Sequence, residues 1–152
     1  MENKFHDGDI SELSFLVTGG AGFIGSHIAE YLLKHGAAKV RVLDNMANGF
    51  RSNLKVLQSY SAFEFMEGDI RDIETCRKAC EGMEYVSHQA ALGSVPRSIK
   101  EPAYTNDVNV GGFVNILKAA VDNNIRRVVY ASSSSVYGDD PTLPKKEEKT
   151  GN

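Results

Sequence analysis

At 152 residues the chain has the length of one ordinary domain, with no room for a second of similar size. Hydrophobic residues make up 41% and charged residues 24%, the balance of a soluble globular protein, which excludes a mainly disordered chain. A net charge of -3 gives no electrostatic case for nucleic acid, no apolar run reaches the length of a membrane span, and the polar N-terminus lacks the apolar stretch of a secretory signal.

Along the chain, short apolar runs alternate with longer amphipathic ones. Ser14-Phe15-Leu16-Val17-Thr18 reads as a buried strand, ended by Gly19-Gly20. Ile24, Ile28, Tyr31 and Leu32 then recur at i, i+4, i+7 and i+8, which predicts a helix burying that face and stopping at Gly36. Residues 39–44 read as a second strand, 52–59 as helical and 63–66 as a third strand. A short helix over 72–81 takes Asp72 as its cap and Gly82 as its stop, and 84–88 reads as the fourth strand. The spacing of Val110, Val114, Leu117 and Val121 predicts a long helix over 104–123, followed by a fifth strand over 127–131. Strands alternating with helices imply an α/β fold, a doubly wound parallel sheet with helices on both faces. Beyond 138 the prolines and the charged run 145–149 read as exposed loop. The expected division is a leader over 1–12, a globular unit over 13–138 and a loop over 139–152.

Gly19, Gly22 and Gly25 lie between the first strand and the first helix, with Phe23 and Ile24 inside the run. A turn that must bend sharply, show its N–H groups to a pyrophosphate and let the helix pack hard on the strand needs residues without side chains. Asp44 ends the second strand, where a carboxylate accepts hydrogen bonds from an adenosine ribose 2′-hydroxyl. Strand, turn, helix, strand and acid in that order point to dinucleotide binding. Like-charge repulsion from Asp44 would oppose a 2′-phosphate, so NAD is expected over NADP, and Arg41, inside the strand, should not offset it. Cys76 and Cys80 stand four apart with no second pair nearby, which reads as a small buried face. No metal is expected, and two cysteines fit a reducing cytoplasm.

Further motifs follow in order: Thr18-Gly19-Gly20-Ala21-Gly22-Phe23-Ile24-Gly25-Ser26, Asp44-Asn45, Gly68-Asp69-Ile70-Arg71, His88-Gln89-Ala90-Ala91, Asn109, and Ala131-Ser132-Ser133-Ser134-Ser135-Val136-Tyr137-Gly138. With these the chain resembles the extended short-chain dehydrogenase/reductases, the nucleotide-sugar epimerase/dehydratase family, over about residues 13–152, and hence a Rossmann fold. The resemblance implies cofactor contacts from Gly19, Gly22, Phe23, Ile24 and Gly25. It places Asn45 and Asn48 at the adenosine end, Asp69 and Ile70 around the adenine, and Gln89, Ala90 and Ala91 beside the pyrophosphate and nicotinamide ribose. Asn109 joins this set, although it reads equally well as a helix-interior residue bonding a neighbouring loop, and Asn48 as a plain loop residue at a strand end. Leu92-Gly93-Ser94-Val95-Pro96-Arg97-Ser98 is similar to a segment of 4-epimerases acting on UDP-N-acetylglucosamine and related sugars. That similarity makes Ser94 a substrate contact, or else part of a rigid loop with Pro96 opening a short helix.

By the same resemblance Ser133 takes the place of the catalytic Ser/Thr hydroxyl. Ser134 and Ser135, as substrate contacts, stand where dehydratases of the family carry Asp-Glu, which disfavours dehydration. The family's Tyr-x-x-x-Lys is missing: the residues four after Tyr31, Tyr60, Tyr85, Tyr104, Tyr130 and Tyr137 are His35, Glu64, Gln89, Val108, Ser134 and Pro141. The expectation is the NAD-binding part of a cytoplasmic 4-epimerase that inverts a UDP-sugar through a 4-keto intermediate. It would stop before the last strands and the substrate domain, be inactive alone and be homodimeric at full length. The other readings are a nucleotide-sugar oxidoreductase or dehydratase of the same fold, or a non-catalytic NAD-binding module.

Overall fold

The computed structural model of the chain describes residues 4–151. Five strands, β1 (Ser14–Thr18), β2 (Lys39–Asp44), β3 (Phe63–Glu67), β4 (Tyr85–His88) and β5 (Arg127–Tyr130), form one parallel sheet in the order β3-β2-β1-β4-β5. The order reverses between β1 and β4, the switch point at which open parallel sheets hold ligands. Six helices connect or flank the strands: α1 (Phe23–Lys34), α2 (Arg51–Leu54), α3 (Ile73–Cys80), α4 (Val95–Lys100), α5 (Pro102–Asn106) and α6 (Gly112–Asp122). A wide π-type turn at Asp107–Gly111 joins α5 to α6, so the two run on as one long helix over 102–122. The helical stretch expected over 52–59 is α2 followed by a single 3₁₀ turn at Leu57–Ser59.

Alternate residues of the inner strands feed two cores, one on each face. Leu16, Leu43 and Val86 pack with Ile70, Cys76 and Cys80 of the β3–α3 segment and with Ile116 of α6. Val17, Val40 and Val42 pack on the opposite face with Ala29 and Leu33 of α1 and Leu54 of α2. Burial on both faces is what a parallel sheet requires, and it accounts for the continuous apolar character of β1.

Both long helices stand where the sequence predicts them, but each buries a different face from the expected one. On α1 the buried residues are Gly25, Ser26, Ala29 and Leu33, while Ile24 is 60% exposed. The helix lies so close to the β1 turn that a Cβ on Gly25 would come within 2.4 Å of the Gly19 carbonyl oxygen, so small residues occupy the contact and Ile28 and Leu32 flank it. On α6 the buried set is Gly112, Ile116, Ala119 and Ala120, and the stripe Val110, Val114, Leu117 and Val121 faces outward. The same cause applies, since a Cβ on Gly112 would meet Ile70 Cδ1 at 2.5 Å.

Local signals end the helices as expected. Gly36 takes a positive φ of 82°, and the N–H groups of Gly36 and Ala37 fold back onto the Leu33 and Leu32 carbonyls. Asp72 caps α3 by accepting from Glu74 N. The far end of α3 is closed from the sheet: Arg41 Nη1 donates to the carbonyls of Lys78, Ala79 and Glu81, at 3.0, 2.7 and 2.8 Å. Arg41 Nε lies 3.1 Å from Glu64 Oε2 but out of line for a hydrogen bond. This guanidinium is therefore committed to α3 and turned away from the end of β2. The leader is not a loose tail over its described part, since Phe5 N donates to the Tyr31 hydroxyl and the His6 ring meets Tyr31 and His35 edge-on.

Candidate functional site

A crevice opens at the carboxyl ends of the strands, across the switch point. Nine residues singled out in the sequence line it: Gly19, Gly22, Asp44, Asn45, Asn48, Ile70, Gln89, Ala90 and Ala91. Leu43, Ala47, Gly49, Gly68, Leu92, Tyr104 and Val108 line it as well.

The glycine turn is built by close approach. Gly19 has φ of 69°, and a Cβ there would stand 2.7 Å from Ala90 N, so the turn after β1 and the turn after β4 abut at this residue. Gly25 brings the start of α1 onto the Gly19 carbonyl. Backbone N–H groups at the start of α1, together with the positive end of its dipole, make this the anion-binding end of the crevice.

Asp44 is 8% exposed and faces this turn from the end of β2. Its Oδ2 accepts from Ala21 N at 2.9 Å and its Oδ1 from Met46 N at 2.8 Å. A carboxylate has about four acceptor sites, so the two bonds fix its orientation and leave room for two more donors from a ribose. The residues present thus fit a dinucleotide: phosphates at the turn, a ribose diol at the acid and a base beyond it toward β3.

At the β3 end, Asp69 accepts from Asn45 Nδ2 at 2.9 Å and from Arg71 through its backbone N, Nε and Nη2 at 2.9, 3.1 and 2.8 Å. The Arg71 hydrogen bonds hold the Asp69 carboxyl down at about 2. All four acceptor sites are in use, so an adenine amine would reach Asp69 by replacing one donor. Arg71 in turn lies 4.8 Å over the Tyr104 ring and 3.7 Å from Asp107.

On the other wall the Thr18 hydroxyl ties β1 to the β4 turn. Its oxygen accepts from Gln89 N and Ala90 N, both at 3.2 Å, so its proton goes to His88 Nδ1 at 2.7 Å. His88 is therefore the Nε2–H tautomer, and burial pushes its pKa down to about 4. Asn109, inside the π-type turn, bonds both backbone groups of Leu92, accepting from its N at 2.7 Å and donating to its O at 3.0 Å. The Asn48 side chain accepts a 3.4 Å bond from Arg97 Nη2.

The remaining sequence candidates lie off the crevice lining. Ser94 caps α4 by accepting from Arg97 N at 3.3 Å, with Pro96 in the first turn. Ser133 donates to Ser135 Oγ at 3.0 Å and accepts from Ser135 N at 3.1 Å, capping a 3₁₀ turn at Ser134–Tyr137, and all three serines are exposed. Phe23 and Ile24 sit exposed on the first turn of α1. Among the described residues no group of three or more His, Cys, Asp or Glu could hold a metal ion, and no helix is long and apolar enough to cross a membrane.

A family model described as the NAD-dependent epimerase/dehydratase family matches residues 15–152. The chain belongs to that family. Its cofactor is accordingly NAD. The chain is 40% identical over 135 residues to a UDP-glucose 4-epimerase of Mycolicibacterium smegmatis, a match covering 88% of this chain and 43% of that protein. It is similar, at 41% identity and a TM-score of 0.77, to the UDP-glucose 4-epimerase of Thermus thermophilus solved with NAD, covering 88% of this chain and 42% of that one. The UDP-N-acetylglucosamine 4-epimerase of Methanobrevibacter ruminantium, solved with UDP-N-acetylmuramic acid, superposes with a TM-score of 0.81 at 36% identity, covering 92% and 44%. The family member thus spans about two-fifths of the length of these relatives.

Among the contributors to this site, Gly49 escaped the sequence reading, while Gly68, Thr18 and Arg71 stood there inside motifs without a role of their own. Gly49 carries only the signal of a glycine in the connection between β2 and α2. Thr18 and Arg71 act through bonds to backbone and to a neighbouring acid, which leave no spacing pattern.

Proposed function

We propose that this chain supplies the NAD-binding part of a 4-epimerase that interconverts UDP-N-acetylglucosamine and UDP-N-acetylgalactosamine through a 4-keto sugar. The observation that carries the reading is Asp44, which lines the crevice at the β2 end, fixed by two accepted bonds out of the about four a carboxylate can take. Bound NAD supplies the acceptor and donor of hydride. The residues of this chain bind and orient it: the glycine turn at the phosphates, Asp44 at the ribose, and the turn after β4 toward the nicotinamide. Ser133 is assigned to the hydroxyl network at the sugar and Ser94, Ser134 and Ser135 to sugar contacts, supported by their place after β4 and β5 at the same sheet edge.

The substrate class is supported by the likeness of residues 92–98 to a segment of 4-epimerases acting on UDP-N-acetylglucosamine, and the serines in place of an Asp-Glu pair favour epimerisation over dehydration. Two free, buried thiols suit a reducing cytoplasm, and the outward apolar stripe of α6 suits a homodimer of the full-length protein. No base of the Tyr-x-x-x-Lys type stands among the 152 residues, so the chain alone is inactive. Titrating NAD and NADP into the purified chain tests the binding claim: NAD binds at least about tenfold more tightly, the cost of setting a phosphate dianion beside Asp44. Equal affinities would remove Asp44 from the ribose. An assay with UDP-N-acetylglucosamine gives no turnover, and turnover above background would refute the inactivity.

A further inference from the structure

The sheet order puts the phosphate turn at β1 and the ribose acid at β2, so the base end of the crevice lies at the next strand outward, β3. The exit from β3 is Gly68-Asp69-Ile70-Arg71, and it is held from a distant part of the chain. Asn115, on α6, donates from Nδ2 to the carbonyl of Ile70 at 3.0 Å and to that of Arg71 at 2.9 Å. One amide nitrogen, with its two protons, thus fixes two successive peptide groups. The same helix brings Gly112 against the Ile70 side chain, which a Cβ there would force to move, at 2.5 Å from its Cδ1. The buried Cys76 thiol adds a second donor to the Ile70 carbonyl at 3.2 Å.

We infer that Asn115 is a positioning residue for base recognition: by gripping the Ile70 and Arg71 carbonyls it sets the Asp69–Ile70 edge against the purine of the bound dinucleotide. Asn115 is not itself part of the crevice lining. Its chemistry is specific all the same. Leucine has no donor for either carbonyl, and aspartate of the same shape presents acceptors to two acceptors. Glutamine keeps both donors on a longer arm.

The inference rests on the NAD reading, and the test separates the two. NAD and nicotinamide hypoxanthine dinucleotide are titrated by calorimetry into the 152-residue chain and into Asn115→Leu, Asn115→Asp and Asn115→Gln. Hypoxanthine carries a carbonyl where adenine has its amine and a proton where adenine has a ring acceptor, so it inverts the edge. The parent chain favours NAD about fivefold to tenfold, the worth of one hydrogen bond made on binding. Asn115→Leu and Asn115→Asp bring that ratio close to one, and Asn115→Gln restores part of it. Asn115→Asp, nearly isosteric on a half-buried site, carries the test if the leucine variant fails to fold. Variants that lose affinity but keep the parent ratio overturn the inference, because a general structural role predicts that outcome. A parent chain that binds both dinucleotides equally also overturns it. A parent chain that binds neither overturns the NAD reading as well.

Discussion

Gly25 and His88 are single residues whose roles follow from what surrounds them. A methyl group on Gly25 would stand 2.4 Å from the Gly19 carbonyl and 2.8 Å from Gly20 Cα, both backbone atoms that cannot rotate aside. Gly25→Ala therefore lifts α1 off the turn. We expect denaturant unfolding to show a loss of about 1–3 kcal/mol, the usual cost of overpacking, together with loss of NAD binding. His88 stays neutral in the folded protein down to about pH 4, whereas the unfolded chain takes up a proton near 6.5. Between those values the unfolded state binds more protons, so stability falls as pH falls through the window. The loss reaches on the order of 3 kcal/mol at pH 4, and His88→Asn flattens the profile between pH 6.5 and 4. An unchanged profile in that variant would place the titration elsewhere. Burial also pushes the Cys76 and Cys80 thiols up to about 12 and 11, so both stay protonated at neutral pH.

At the scale of elements, Arg41 shows how a strand residue can govern a helix. Its guanidinium satisfies three carbonyls at the end of α3 from a side chain 10% exposed. Arg41→Met strips those carbonyls of their donor and is expected to cost about 2–4 kcal/mol in denaturant unfolding. The preference for NAD over NADP stays unchanged in the same variant, because Arg41 points away from the end of β2. A shift toward NADP or away from it would show that the guanidinium reaches the ribose. The strands and the order of elements were legible in the sequence because apolar runs and turn glycines are local signals. The glycine turn and Asp44 were legible because their spacing is set by one βαβ unit. The buried faces of α1 and α6 were not: close approach to the sheet selects Gly, Ala and Ser, which carry little hydrophobic signal, and leaves the larger Ile and Val residues at the rim or outside. Asn115 was beyond reach in another way, since it acts on backbone groups in a different loop.

For the molecule as a whole, that same inversion leaves apolar surface outside. Val110, Val114 and Val121 are each more than half exposed along α6 and the turn before it, and on the edge strand β5 Val129 and Tyr130 are also more than half exposed. A parallel edge strand and an apolar helix stripe are both surfaces that pair, and a net charge of -3 gives weak repulsion against pairing. The 152-residue chain is therefore expected to self-associate reversibly at high micromolar concentration in sedimentation equilibrium. Val114→Lys combined with Val121→Lys places two charges on the stripe and shifts the distribution toward monomer. NAD affinity stays at the parent value, because neither valine lines the crevice. If the double variant associates as strongly as the parent, the contact runs through the β5 edge, and a lysine at Val129 then becomes the change that dissociates it. A parent chain that is monomeric throughout would show that neither surface is large enough to hold a second copy.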